Sequence, residues 1–292
     1  MLLKPDCIAC ILKMIITSIR KLQLDENSVK ELYSKILENP ALRGFNWEIT
    51  SPEVIEDAWQ KITKRMDDPD PFYSEKSDQN KNVMALYPFL EKTVHKDSDP
   101  LYPAVKLAIL GNSLDFMVAD TTLTFESSIK DRINVPLSNE NYSTFKRRLG
   151  ASKHLVYFGD NAGEIVFDKL FIETIKKLYK LEIVFVVRSI PTLNDATIKE
   201  AKSVGMDKVV KVIENGIDGP LPGTVLKRCS NEVNDLVQKS DLIISKGGGN
   251  FDTLDEERKH LEKKISFLLL SKCDPQYKTF GVKLYQPILA NW

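Results

Sequence analysis

Apolar residues follow two rhythms along this chain, and the change falls near Gly150. Before it they recur mainly three or four positions apart, the mark of one face of an α-helix. Cys7, Cys10, Ile11, Met14 and Ile15 make one stripe, and Val29, Leu32, Tyr33 and Ile36 make another. A third runs from Pro103 to Val118, with Asn112 and Asp115 set off part of its apolar face. Breaks rich in Asp and Pro at 67–71 and 97–100 separate these helices. Residues 134–141, with Pro136, read as the passage between the two halves, and a further helix through Tyr142–Lys146 precedes the second.

After Ser152, short apolar runs alternate with amphipathic segments. Strands are expected at His154–Phe158, Glu182–Val187, Lys208–Ile213, Leu242–Ser245 and Ile265–Leu270. Helices are expected over Glu164–Leu178, Asp195–Val204, Val225–Gln238 and Leu254–His260. This alternation predicts an α/β fold, a doubly wound and mostly parallel sheet in an α/β/α sandwich. An all-helical domain precedes it, with residues 1–150 helical and 151–292 forming the α/β domain. Right-handed crossovers carry every strand's C-terminal end to one side, where open sheets of this kind bind ligands.

Polar residues gather at those ends. Gly159-Asp160-Asn161-Ala162-Gly163-Glu164 follows the first strand. Asp and Asn offer hard oxygen ligands, which suit Mg²⁺ or Mn²⁺ better than Zn²⁺, although an ordinary capped turn would use the same residues. Asn194-Asp195-Ala196-Thr197 follows the second strand and reads as a helix start, with Asn194 or Asp195 near the cap. If the two strands are adjacent, Asp195 emerges beside Asp160. Lys246-Gly247-Gly248-Gly249-Asn250-Phe251-Asp252 reads as a Gly-rich turn whose N–H groups can approach an anion, or as a plain surface loop. Its Lys precedes the glycines, so it is not a Walker A loop. Lys272 ends the last strand candidate, where it can meet a phosphate or simply face water.

This ordered set resembles the damage-control phosphatase family, and most closely its archaeal and bacterial branch. Further segments in the same order carry the likeness: Cys7-x-x-Cys10, Asp70-Pro71-Phe72 and Gly111-Asn112-x-x-Asp115-Phe116. The resemblance implies a metal-dependent phosphatase acting on phosphorylated metabolites. It assigns Asp160, Asn161 and Asp195 to one divalent metal ion (Mn²⁺, Co²⁺, Ni²⁺ or Mg²⁺), and Gly248, Gly249, Asn250, Asp252 and Lys272 to substrate. Three positions depart from relatives: Gly248 stands where Gln is frequent, Asp252 where Glu is frequent, and Arg188-Ser189-Ile190-Pro191 replaces a Gly-rich stretch.

The expected reaction is phosphomonoester hydrolysis. Asp160 or Glu164 would align water as base, and direct attack by Asp160 is the alternative. Asn112 and Asp115, from the helical half, are candidates for sugar hydroxyls. Two rivals stand beside this reading: methyl transfer from S-adenosylmethionine, which such sheets also support, and phosphometabolite binding without turnover.

Composition narrows the setting. Lys and Arg number 41 against 41 Asp and Glu in 292 residues, so no global field draws the chain to nucleic acid. Four cysteines, Cys7, Cys10, Cys229 and Cys273, are too few and scattered for a secreted disulfide framework, which favours the cytoplasm. No run approaches the roughly 20 apolar residues of a membrane span, and the start reads as a helix without a signal-peptide cleavage pattern. Cys7 and Cys10 share a helical face, for which core packing is favoured over metal ligation. The three histidines have no metal-binding spacing, and no Gly-x-Ser-x-Gly elbow is present.

Overall fold

The apolar runs of the second half pair into one sheet. In the computed structural model, which describes residues 1–114, 133–261 and 264–292, the strands are β1 (His154–Phe158), β2 (Glu182–Val187), β3 (Lys211–Glu214), β4 (Leu242–Lys246), β5 (Ile265–Leu270) and β6 (Pro287–Asn291). Their order is β3-β2-β1-β4-β5-β6. All neighbouring pairs run parallel except β5 and β6. The sheet therefore reverses its direction of winding between β1 and β4, and a crevice opens there at the strands' C-terminal ends.

The helices are α1 (Pro5–Lys21), α2 (Glu26–Ile36), α3 (Ser51–Met66), α4 (Tyr73–Ala85), α5 (Tyr87–His95), α6 (Leu101–Gly111), α7 (Asn139–Ala151), α8 (Glu164–Leu178), α9 (Ile198–Ser203), α10 (Asn231–Lys239), α11 (Gly247–Glu256) and α12 (Asp274–Phe280). β4 and β5 are buried along their whole length, because helices cover both faces. On one face, Leu107 and Ile109 of α6 and Phe167 and Phe171 of α8 pack on Tyr157 and Phe185. On the other, Val233 of α10 and Phe251 and Leu254 of α11 cover Val156, Ile243 and Phe267. A third core joins α1, α2 and α3 through Ile11, Ile15, Leu32, Val54 and Trp59, and Leu193 from the sheet side enters it.

Four local expectations change. The edge strand β6 was not expected, because it opens on Pro287, a residue tolerated only where a sheet edge asks no N–H of it. β3 starts at Lys211 and not at Lys208, since residues 206–208 form a 3₁₀ turn. The helix expected over Val225–Gln238 splits into a 3₁₀ turn and α10, which Ser230 caps through Val233 N–H. The Gly-rich turn is not a loop: Gly247–Asn250 is the first turn of α11.

Candidate active site

Strand register sets the level of the site. Phe158 of β1 pairs with Val186 of β2 and with Ser245 of β4. Two residues further along each chain lie Asp160, Arg188 and Gly247, so three different strands deliver these positions to one height. The loops after β1 and β2 are then laced together. Ala196 N–H donates to Asp160 O at 2.7 Å, Ala162 N–H donates to Asn194 O at 2.8 Å, and Asn161 and Asp195 form an antiparallel bridge. Asp195 does not cap α9. Thr197 does, reciprocally with Glu200, whose carboxylate accepts from Thr197 N–H at 2.8 Å and from its hydroxyl at 2.6 Å. That leaves the Asp195 side chain to the crevice.

Behind Asp160 and Asp195 sits Arg188, only 3% exposed. Its Nε donates to Asp195 Oδ2 at 2.6 Å and its Nη2 lies 3.4 Å from Asp160 Oδ1. Nη1 donates to Gly223 O and to Asn250 Oδ1. Asp160 Oδ2 accepts from Asn112 Nδ2 at 3.1 Å and from Asn161 Nδ2 at 2.8 Å. Burial, and then the charges of Asp195 and Glu164, hold the Asp160 carboxyl well above the usual range, against the pull of Arg188 and Lys272.

A second charged cluster underlies the first. Lys246, fully buried, meets Glu164 Oε1 at 2.6 Å, donates to Asp168 Oδ1, and donates to Ala108 O of α6 at 2.9 Å. Burial alone would lower this ammonium's pKa, but Asp168 and Glu164 outweigh it and raise it. Asp168 also accepts from Tyr157 Oη at 2.6 Å, and burial pushes its own carboxyl up to about 6. Glu164 Oε2 accepts from Asn112 Nδ2 at 2.9 Å and from Asn161 Nδ2 at 3.2 Å, linking this cluster to Asp160. From the helical half, Asn80 of α4 accepts Gly163 N–H at 2.6 Å and so holds the start of α8.

In front of Asp160 lies a cavity of about 190 Å³ lined by Asp160, Asn161, Asp195, Gly248, Gly249, Asp252 and Lys272 on the sheet side, and by α1 and α3 across it. Cys7 and Cys10 of α1 both line it, Cys7 buried and Cys10 exposed. The glycines allow the close approach. A Cβ on Gly247, whose φ is +77°, would fall 1.9 Å from Asp160 Oδ2. A Cβ on Gly249 would fall 1.9 Å from Pro222 O. Gln276 holds the opposite side, accepting Lys272 N–H at 3.1 Å.

Of the residues singled out from sequence, Asp160, Asn161, Asp195, Gly248, Gly249, Asp252 and Lys272 meet at one cavity. Three do not line it. Glu164 and Asn112 lie behind Asp160, engaged with Lys246 and with each other. Asn250 is fully buried, its amide donating to Gly159 O and Lys246 O and accepting from Arg188. These three brace the site from behind the cavity wall. Asp115 lies outside the described residues. Arg188, Lys246 and Gln276 carry no signal in the sequence, since neither a lone cation at a strand end nor one amide in a short helix has a periodicity of its own.

The donor set fits a small divalent cation. Two carboxylates and one amide present hard oxygens, and the like charges of Asp160 and Asp195 leave negative charge that a cation would offset. Among the described residues no three His, Cys, Asp or Glu side chains are grouped as a metal site, which follows from one donor here being an asparagine. Asn112 Oδ1, buried beside this set, has no hydrogen-bond partner.

The chain is similar to proteins of one family. A model of the damage-control phosphatase ARMT1-like domain matches residues 3–288. An uncharacterized protein of Methanocaldococcus jannaschii is 31% identical over 294 residues, covering 99% of this chain and 95% of that protein. A damage-control phosphatase of Pyrococcus horikoshii is 33% identical over 217 residues, covering 73% of this chain and 71% of its own length. Another, of Archaeoglobus fulgidus, is 26% identical over 97% of both chains. The crystal structure of a DUF89 family protein from Pyrococcus horikoshii superposes with a TM-score of 0.86 at 24% identity, covering 100% of this chain and 99% of that one, and shows the same fold.

Proposed function

This chain belongs to the damage-control phosphatase ARMT1-like family, and from that membership we propose that it is a metal-dependent phosphatase hydrolysing phosphomonoesters of small metabolites. The observation that carries the reading is the sharing of one cavity by Asp160, Asn161 and Asp195 with Lys272 and the opening turn of α11. Oxygen donors for a cation and cationic groups for a phosphate thus face the same space.

Asp160, Asn161 and Asp195 would hold the metal, with Mn²⁺, Co²⁺, Ni²⁺ or Mg²⁺ as the ions such donors suit. When bound, the ion supplies positive charge that makes water more acidic and offsets charge on the transferring phosphoryl group. The protein's own residues do the rest. Lys272 and the N–H groups of Gly248 and Gly249, at the positive end of α11, would take the remaining phosphate oxygens. Arg188 and Asn112 fix the two oxygens of Asp160, so that carboxylate meets water or phosphorus in one orientation. Walls from α1 and α3 would restrict water once substrate enters. Sugar phosphates and damaged phosphometabolites are the substrate class. Cytoplasmic residence belongs to the same proposal: no disulfide forms among the described residues and no described helix is long and apolar enough to cross a membrane. Nothing in the comparisons supports methyl transfer or binding without turnover.

The test is phosphate release from p-nitrophenyl phosphate and a panel of sugar phosphates. Turnover is expected to vanish on chelation and to return with Mn²⁺, Co²⁺ or Ni²⁺. An Asp160→Ala protein that keeps full metal-dependent turnover would refute the ligand assignment. Heat released on titrating S-adenosylmethionine would revive methyl transfer.

A further inference from the structure

Asp252 is unlike the other carboxylates of the cavity. It lines the space yet is only 8% exposed, and its Oδ1 is buried without a hydrogen-bond partner. Asp160 and Asp195 have Arg188; behind the cavity, Glu164 and Asp168 also keep an oxygen without a hydrogen-bond partner, but they have Lys246 as counter-ion. An unpaired buried carboxyl oxygen is costly, and nothing structural here recovers that cost. Its place in α11 is informative. Asp252 stands four residues after Gly248, so it shares that helix face and lies about 6 Å further along the axis. A phosphate anchored at the start of α11 would direct its ester oxygen along this face.

We infer that Asp252 is the general acid that protonates the leaving-group oxygen. The inference rests on the phosphatase reading and assigns a catalytic step to a residue so far given only to substrate binding. As water oxygen bonds to phosphorus, the phosphorus–oxygen bond to the leaving group breaks and its electron pair stays on that oxygen. The carboxyl proton of Asp252 moves to it, giving the free alcohol, and the carboxylate regains the proton released by the attacking water through solvent. Burial supports this by pushing the Asp252 carboxyl up to about 7, so a proton is held near neutrality. The charged and titratable neighbours are the Met1 amino group, which opposes the shift, Asp255 and Glu256 of α11, which add to it, and Cys273 and Lys272 across the cavity.

The test compares two aryl esters of nearly equal shape. p-Nitrophenolate departs readily without a proton, whereas phenolate, with a conjugate acid near a pKa of about 10, needs one. With the preferred metal, Asp252→Asn is expected to lower kcat for phenyl phosphate about 100-fold more than it lowers kcat for p-nitrophenyl phosphate. Asp252→Glu should restore much of the phenyl phosphate rate, and a thermal melt checks that both variants fold. In the wild type, phenyl phosphate turnover should fall as pH rises past about 7. Equal losses on both esters, or no loss on either, would overturn the assignment. A wild-type protein inert towards both esters with every divalent ion would remove the phosphatase reading itself, and this role with it.

Discussion

Lys246 and Arg188 stand at the ends of neighbouring parts of the sheet, both buried, and each meets two carboxylates. Lys246 is enclosed on every side: it donates to Asp168 and to Ala108 O, Glu164 lies against it as an ion pair, and no member of the group lines the cavity. Arg188 also spends its donors, but the two carboxylates it holds turn towards open space. Each cluster sets one cation against two carboxylates; the first is shut off from the cavity and works as scaffold, whereas the second opens on space that a cation can enter. Burial and ion pairing are common to both, so neither identifies a site; access to the cavity does.

Breaking the closed cluster should have the largest effect. Lys246→Met leaves Glu164 and Asp168 buried without their cation and is expected to cost about 3–5 kcal/mol of stability, read from urea unfolding. An unchanged midpoint would show that the cluster is not closed. Next comes the wall between the two clusters. Gly247→Ala puts a methyl group against Asp160 in a left-handed backbone; metal-dependent turnover should fall on the order of 100-fold with the melting temperature lowered only slightly.

Asp252 sharpens the contrast through pH. Its folded pKa, about 7, lies above the unfolded carboxyl's 3.8. Between those values the folded protein holds a proton that the unfolded chain has lost. The linked stability is therefore complete below about pH 4, declines as pH rises towards 7, and stays low above it. Asp252→Asn should gain about 2 kcal/mol over wild type at pH 8 and nothing at pH 4, measured by paired urea melts, with cavity water screening part of the full linkage. The smallest effect is expected at the open cluster. Arg188→Lys keeps the charge but loses the fork that holds Asp160, Asp195 and Asn250 together. Mn²⁺ affinity by calorimetry should weaken about tenfold, with the KM for substrate unmoved. A raised KM with intact Mn²⁺ binding would instead make Arg188 a phosphate ligand.

Much of this was legible in the residues. The bounds of β1, β2, β5 and α8 coincide with the apolar runs, because strands buried on both faces and an amphipathic helix leave unbroken patterns. The convergence of Asp160 and Asp195 followed from parallel neighbouring strands. What stayed hidden depends on partners far along the chain. Asn250 read as a ligand-facing amide, yet Arg188, 62 residues earlier, claims its oxygen. Three successive glycines read as a loop because glycine is a poor helix former, whereas the crowding that demands them comes from Asp160 and Pro222. Glu164 reads as one of two candidate bases, and its pairing with Lys246, at the end of another strand, has no trace in the local sequence.

The contact between Asn80 and Gly163 N–H, with Lys76 against Glu200 and Asn112 on Asp160, ties the helical half to the loops after β1 and β2. Residues 153–292 expressed without their predecessors would lose the acceptor for Gly163 N–H, the Lys76 partner of Glu200 and one clamp on Asp160 in a single cut. Exchanging the front of this chain for that of a distant relative would therefore have to carry those three contacts across together.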